Sequence, residues 1–367
     1  MSLGGPAKTT APDKILALEP FYGGSHRAFL DGLNHQLAGR LELLTMPPRH
    51  WKARMRLAAP QLAAELANRK AADYRAILCS TYVDVAAFRG LAPAGLRGLP
   101  IYTYFHENQL AYPVTFEAER DLHFAVTNLT TALASDQLAF NSSYNLESFL
   151  AGCRVMLGRS DDMRLIGFAE AIMAKSTILP PGQDFSVLDA TPLPSTREGA
   201  PVIVWNHRWE HDKNPEEFFA VLFELAERGV PFQLVVLGES FRTTPPIFTE
   251  ARVRLAERIL HFGYADSPVE YAGWLNRGDV VVSTARHEFF GISVIEAVRA
   301  GCRPLLPRRL SYPELFPEEY LYNPGKLTNA LLVALQAGRL SANQARTLTD
   351  RFNWSTLMPR YREWLGM

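Results

Sequence analysis

Glu288 and Glu296 sit eight positions apart in Arg286-His287-Glu288-Phe289-Phe290-Gly291-Ile292-Ser293-Val294-Ile295-Glu296, downstream of the apolar run Val280-Val281-Val282. A β-branched run, a polar break at Phe290-Gly291, then Ile292, Ile295 and Val298 at helical spacing predict a strand, a turn and a helix start. Glu288 then falls in the turn and Glu296 in the helix's second turn. Unpaired backbone N–H groups at such an end, from about Gly291 to Ser293, attract a phosphate, and Gly291 has no side chain to keep it away. Phe290, Gly291, Ile292, Ser293 and Glu296 are therefore candidates on the side of an anionic leaving group. Arg208 and Lys213, five apart after the apolar run Val202-Ile203-Val204-Trp205, offer permanent cations to neutralise a diphosphate as it departs, the alternative being surface ion pairs with Glu210 or Asp212.

The Glu pair resembles the E-x7-E motif of family 4 of the retaining glycosyltransferases, which transfer a sugar from a nucleotide diphosphate. Phe289 departs from that pattern, where a small residue or proline is usual. The chain contains no D-x-D pair of the kind that holds a diphosphate through a divalent metal, which agrees with protein cations doing the neutralising, so no metal ligand is assigned. A hydrolytic carboxylate pair is the competing idea. It fails on placement, because one carboxylate lies on the helix start and not opposite the other across a scissile bond.

Positioning these groups takes an α/β scaffold. Ile15–Pro20, Leu41–Met46, Ala76–Cys79, Ile101–Phe105, Leu138–Phe140 and Thr177–Leu179 predict strands separated by helical or loop material. After a polar, Pro-rich stretch the rhythm restarts at Val202–Trp205, Phe232–Leu237, Ile259–Phe262, Val280–Ser283 and Pro304–Leu306. Strands alternating with helices twice over predict two Rossmann-like domains whose parallel sheets face a central cleft. The expected organisation is a disordered tail over 1–12, an N-terminal acceptor domain over 13–185 and a linker over 186–200. A nucleotide-sugar domain over 201–348 follows, then a C-terminal helix over 349–367 that crosses back to the first domain.

Ligands in open α/β sheets sit at the carboxyl ends of strands. Several candidates fall there: Gly23, Gly24, Ser25 and His26 after the first strand, and His106, Glu107 and Asn108 after the fourth. Asn141 follows the fifth, where capping the next helix is the alternative. Gly238 and Glu239, with Tyr264, end strands of the second half. Arg49, Trp51, Lys52, Arg54 and Arg56 put four cations and an aromatic into eight residues. Such a run is either the solvated face of a helix or a contact for an RNA backbone with Trp51 free to stack.

Composition sets bounds. The 367 residues suit two domains, and 47% hydrophobic with 21% charged residues is ordinary for a soluble enzyme. Lys+Arg and Asp+Glu balance at 38 each, so nucleic acid is not recruited by net charge and any RNA contact must be local. Three cysteines without a C-x-x-C suggest neither a disulfide framework nor a structural zinc site, in keeping with a cytoplasmic protein. No apolar run approaches the roughly 20 residues of a membrane span.

Five motifs sharpen the resemblance: Glu19-Pro20-Phe21-Tyr22-Gly23-Gly24-Ser25-His26, Tyr104-Phe105-His106-Glu107-Asn108-Gln109, Phe140-Asn141-Ser142-Ser143-Tyr144-Asn145, Trp205-Asn206-His207-Arg208-Trp209-Glu210-His211-Asp212-Lys213, and the Glu288 motif. In this order, over nearly the whole chain, they resemble the glycosyltransferase-like domain-containing protein 1 family. That resemblance implies a GT-B fold, GDP-mannose as donor, the queuosine nucleoside of a tRNA as acceptor, and no further cofactor. By the wider family's pattern Arg208 and Lys213 would grip the diphosphate, Glu288 the sugar, Glu296 the ribose, and His106 the sugar near the reacting carbon. Gly23 and Gly24 would face the diphosphate across the cleft. Retention in such enzymes is described as front-face attack, with the leaving phosphate taking the acceptor's proton and no protein nucleophile. The residues alone leave open a lipid or small glycan acceptor, a binding protein without transfer activity, the nucleotide base, and the oligomeric state.

Overall fold

The computed structural model describes residues 13–111, 121–159, 164–191, 199–240 and 244–367; the expected tail lies outside them. Two compact units emerge. The first runs through Asn141, resumes over Asn145–Pro181 and takes in Met358–Met367, while the second comprises Ser142–Tyr144 and Gly182–Leu357.

In the first unit six strands form one parallel sheet: β1 (Lys14–Glu19), β2 (Leu41–Thr45), β3 (Tyr74–Ser80), β4 (Ile101–Phe105), β5 (Gln137–Phe140) and β6 (Ser176–Ile178). Their spatial order is β2-β1-β3-β4-β5-β6. The second unit holds β7 (Val202–Asn206), β8 (Gln233–Leu237), β9 (Ile259–Gly263), β10 (Val280–Val282), β11 (Arg303–Pro307) and β12 (Leu321–Tyr322), ordered β12-β11-β10-β7-β8-β9 and also parallel.

Apolar runs without polar alternation are what a sheet covered on both faces requires. In the second unit Val202, Val204, Val235, Leu237 and Val281 pack into one core cluster. Their neighbours Ile203, Trp205, Leu234, Val236, Val280 and Val282 pack into another. The period of two thus sorts each strand between two helical layers. Each fully buried aliphatic side chain contributes roughly 1.5 to 3 kcal/mol before conformational entropy is counted.

Two elements of the second unit are not among those expected. Ser186–Ala190, inside the expected 186–200 linker, is a helix of the second unit. Arg299 fastens it, donating from Nε and Nη2 to the Asp189 carboxylate at 2.6 and 2.7 Å. A five-residue helix held by a distant arginine leaves no periodicity to read, and residues 192–198 of that stretch lie outside the described ones. β12, two residues at a sheet edge, is likewise too short to announce itself.

The last helix, Trp354–Trp364, carries Pro359, and from Met358 onward the chain belongs to the first unit. There the Tyr361 hydroxyl donates to the Pro180 carbonyl at 2.9 Å, and the Trp364 ring meets Tyr102 and Tyr104 edge to face.

Candidate active site

Each sheet has one place where the strand order reverses direction: between β1 and β3 in the first, and between β7 and β10 in the second. Loops leaving adjacent strands toward opposite sides open a crevice there. The candidate residues gather at these two places, each within its own unit.

In the second unit the turn after β7 is sewn to the loop after β10. The backbone N–H of Arg286 donates to the Asp212 carbonyl at 2.8 Å, and the Thr284 hydroxyl donates to the carbonyls of Lys213 and Asn214, both at 2.9 Å. Lys213 is thereby carried inside, 6% exposed. Its Nζ donates to the His287 carbonyl at 2.7 Å and lies 3.3 Å from Glu288 and 3.2 Å from Asp212. Burial works against a charged lysine, yet Glu288 and Asp212 outweigh it and hold the ammonium above its ordinary range. For Glu288 burial pushes upward, and the Lys213 charge brings the carboxyl below its usual value. The Phe290 N–H adds a bond to Glu288 Oε1 at 3.3 Å.

The helix Ile292–Arg299 starts on Gly291, whose φ of +100° favours glycine, and a Cβ there would meet the Tyr312 ring at 3.2 Å. Lys213, Glu288 and this helix start therefore share one corner. Arg208 is close enough to depress Lys213 by repulsion; its guanidinium pairs with Glu210 at 3.1 Å and its side chain is 49% exposed. One turn into the helix, Glu296 accepts from the Tyr271 hydroxyl at 2.9 Å. Burial raises its carboxyl to about 7, against the pull of that hydrogen bond. Asn206, the last residue of β7, donates to the Tyr271 oxygen at 3.1 Å and to the Ser293 carbonyl at 2.6 Å.

The other donor-side candidates behave differently. The Phe290 side chain is core, set against Phe352, so its contribution is limited to backbone. Ile292 is half-buried against the same core. Gly238 is compelled by packing: at φ +148° a Cβ would stand 1.9 Å from the His207 carbonyl oxygen. Glu239 is exposed and offers its carbonyl to the Trp209 N–H at 3.0 Å. Tyr264, after the edge strand β9, is 69% exposed.

In the first unit Gly23 and Gly24 open the helix Gly24–Gln36; Gly24 has φ +51°, and a Cβ on Gly23 would strike Pro48. Ser25 is exposed, whereas His26 turns inward, 5% exposed. Its Nδ1 lies 3.0 Å from Oε2 of Glu19, the buried last residue of β1. The His26 ring lies 4.1 Å from that of His106, which follows β4. Glu107 accepts from the Tyr82 hydroxyl at 3.0 Å.

Two amide candidates are occupied by structure. Asn108 is fully buried, donating to Asn145 and Ser148 and accepting from the N–H groups of Leu110 and Ala111. Asn141 donates to the His106 carbonyl at 2.7 Å, so it fixes the backbone that carries the imidazole. Both brace the loop, a use that loop position alone does not reveal.

The basic run divides. Arg49 and Lys52 are exposed. Trp51 is half-buried against Phe124, ring centroids 5.2 Å apart, so the stacking alternative does not find its ring wholly free. Arg54 turns toward the Met46 sulfur, and Arg56 pairs with Asp121 over the Phe124 ring.

Comparison with known proteins supplies the family. Residues 14–183 match the family described as tRNA-queuosine alpha-mannosyltransferase N-terminal, and residues 194–331 match glycosyl transferases group 1. Over 96% of both chains, the sequence is 34% identical to the tRNA-queuosine alpha-mannosyltransferase of Drosophila melanogaster. The chain belongs to the tRNA-queuosine alpha-mannosyltransferase family. Solved structures agree on the fold. HepE of Anabaena in complex with UDP superposes with a TM-score of 0.65 at 16% identity, covering 96% of this chain and 99% of that one. Sucrose-phosphate synthase from Thermosynechococcus elongatus gives 0.69 at 17% over the same shares. At such identities the likeness carries the architecture, which is GT-B, and this member of the queuosine mannosyltransferase family is a glycosyltransferase.

Beyond the residues expected in this family member's site, the structure adds Asn206, His207, Asp212, Tyr271 and Glu19. Four of the five lie inside the quoted motifs. Tyr271 sits on the helix Pro268–Asn276 and reaches Glu296 only through tertiary packing, which no local pattern encodes. His207 is buried, and its imidazole is depressed to about 4, first by burial and then by the Lys213 charge. No helix among the described residues is long and apolar enough to cross a membrane.

Proposed function

We propose that this chain transfers mannose from GDP-mannose to the queuosine nucleoside of a tRNA in the cytoplasm, with retention at the anomeric carbon and no further cofactor. One observation carries the reading: a buried Lys213–Glu288 pair beside the open N–H groups of the Ile292–Arg299 helix, in a family member akin end to end to an enzyme of that name. The Gly291–Ser293 N–H groups and Arg208 receive the diphosphate, whose charge grows as the sugar leaves. Lys213 already directs its ammonium at His287, Glu288 and Asp212. Its first task is therefore to hold Glu288 ionised and aimed at sugar hydroxyls, and contact with phosphate requires one of these partners to yield. Glu296 accepts from the ribose, and His106 meets the sugar near the reacting carbon. The departing phosphate takes the acceptor's proton, so no side chain forms a covalent intermediate.

Incubation with radiolabelled GDP-mannose and queuosine-containing tRNA is expected to place label in the RNA. Label entering a lipid or free glycan would overturn the acceptor, and equal turnover of UDP-glucose would overturn the donor. GDP release that is unchanged in Glu288→Ala would favour a binding protein over an enzyme.

A further inference from the structure

The first unit holds a polar cluster that the proposed reaction does not use in full. Glu19 is 1% exposed, and both of its oxygens are engaged: Oε1 accepts from the Phe21 N–H at 2.8 Å and Oε2 faces His26 Nδ1 at 3.0 Å. A carboxylate only accepts, so the hydrogen must lie on Nδ1 of His26. The His26 and His106 rings lie 4.1 Å apart, tilted by 34°. Phe29 and Tyr104 also contact His106, at 4.9 and 4.6 Å between centroids. Burying a carboxylate and two imidazoles beneath aromatic rings is costly unless they act on one another.

We propose that Glu19 and His26 are positioning residues for His106: the carboxylate fixes the His26 ring, and that ring, lying against His106, sets the orientation in which His106 meets the sugar and reserves the pair's single positive charge for His26. The role at the sugar rests on the function proposed above; the coupling of the three side chains does not. Two imidazolium ions at this separation repel strongly in a dry interior, so one ring must stay neutral. The neighbours decide which. Burial alone lowers His26, but Glu19, by charge and hydrogen bond, and then Glu107 lift it above its ordinary value. His106 is driven well below its ordinary value by burial and then by His26. Among the described residues, the other titratable groups against these rings are the Cys79 thiol of β3 and the Tyr104 phenol, both raised by burial, and the Tyr82 hydroxyl, which is bonded to Glu107. None of these three supplies a competing cation. A neutral His106 can both donate to and accept from a sugar hydroxyl, whereas an imidazolium can only donate and would repel an oxocarbenium-like centre.

Ring-nitrogen NMR titration of the free full-length chain from pH 5 to 8 tests the coupling without turnover. His106 is expected to stay neutral throughout, and His26 to titrate above the ordinary histidine range. In Glu19→Gln, His26 should lose its proton at lower pH and the His106 signal should move with it. The rate of transfer at saturating donor should fall about tenfold, with the acid limb of its pH profile displaced. An imidazolium at His106 near pH 6, or ring signals indifferent to Glu19→Gln, would overturn the proposal. Should that variant not fold, the titration of the parent chain alone decides. Full activity in His106→Ala, together with the coupled titration in the parent chain, would instead sink only the role at the sugar.

Discussion

At the crevice beside β7 and β10 a buried lysine is shared by two carboxylates, while at the one beside β1 and β3 a single carboxylate holds one of two imidazoles that lie ring against ring. The first arrangement consists of groups that are ionised across the physiological range. The second contains a ring whose protonation is opposed by burial and by the neighbouring imidazole. The contrast follows the chemistry each would serve. A diphosphate has fixed charge and needs cations and N–H dipoles that do not titrate, whereas sugar hydroxyls are neutral and are oriented by groups that donate and accept. Burial is common to both, and it makes each cluster sensitive to the loss of one member.

The largest effect is expected at Lys213. Lys213→Met leaves Asp212 and Glu288 facing one another without a cation, and breaking a buried pair in this way costs about 3 to 5 kcal/mol. Denaturant unfolding should show that loss, and transfer should fall at least about tenfold. His26→Gln, which removes a partner from the other cluster but leaves no pair of like charges, should cost less. Equal losses would erase the distinction between the two crevices.

Glu296 offers a pH-resolved test. Its carboxyl rises from 4.5 to about 7 on folding. A group that holds its proton more tightly when folded stabilises the protein at low pH, and the folded state loses ground as pH rises through this interval. The gap amounts to at most roughly 3 kcal/mol, complete above pH 7. Glu296→Gln should therefore stabilise the chain at pH 8 by up to that amount and leave it nearly unchanged at pH 4.5, as thermal melts at both pH values would reveal. It should also weaken GDP binding, since an amide replaces the carboxylate proposed to accept from ribose. A stabilisation independent of pH would mean that packing, not titration, governs the site.

Arg208 should separate function from stability within one crevice. Half-exposed and paired with Glu210, it contributes less than about 1 kcal/mol to folding. In the role proposed for it at the diphosphate, its loss should nonetheless slow transfer about tenfold. Arg208→Ala is thus expected to melt like the parent chain and turn over slowly; a lowered melting temperature with unchanged rate would place the arginine in the scaffold.

Much of this was legible in the chain because local pattern and tertiary role coincide. The runs Val202–Trp205 and Val280–Val282 declare strands buried on both faces, and Phe290-Gly291 before Ile292 and Ile295 declares a helix start with an open end. Asn108 and Phe290 misled for a shared reason: a residue beside a functional one need not point the same way, and whether its side chain serves the loop or the ligand is decided by packing. Tyr271 and the helix Ser186–Ala190 stayed hidden because their partners, Glu296 and Arg299, are distant in sequence. Trp51 shows the same limit, since Phe124 covers a ring that composition leaves free.

The smallest effects belong to the basic run, where the comparison extends from buried to exposed charge. If Arg49 and Lys52 contact RNA phosphates, each releases about one counterion on binding, so removing each should reduce the slope of log affinity against log salt by about 1. Arg56, already engaged by Asp121, should change it less. The double variant Arg49→Ala, Lys52→Ala is expected to bind tRNA more weakly at every sequence while leaving the KM for GDP-mannose untouched, because its cations lie in the first unit and the lysine and carboxylates assigned to the donor lie in the second. Filter-binding titrations across a salt series measure the slope directly. An unaltered slope would return these residues to the solvated face of a helix and move the search for the RNA contact to another surface.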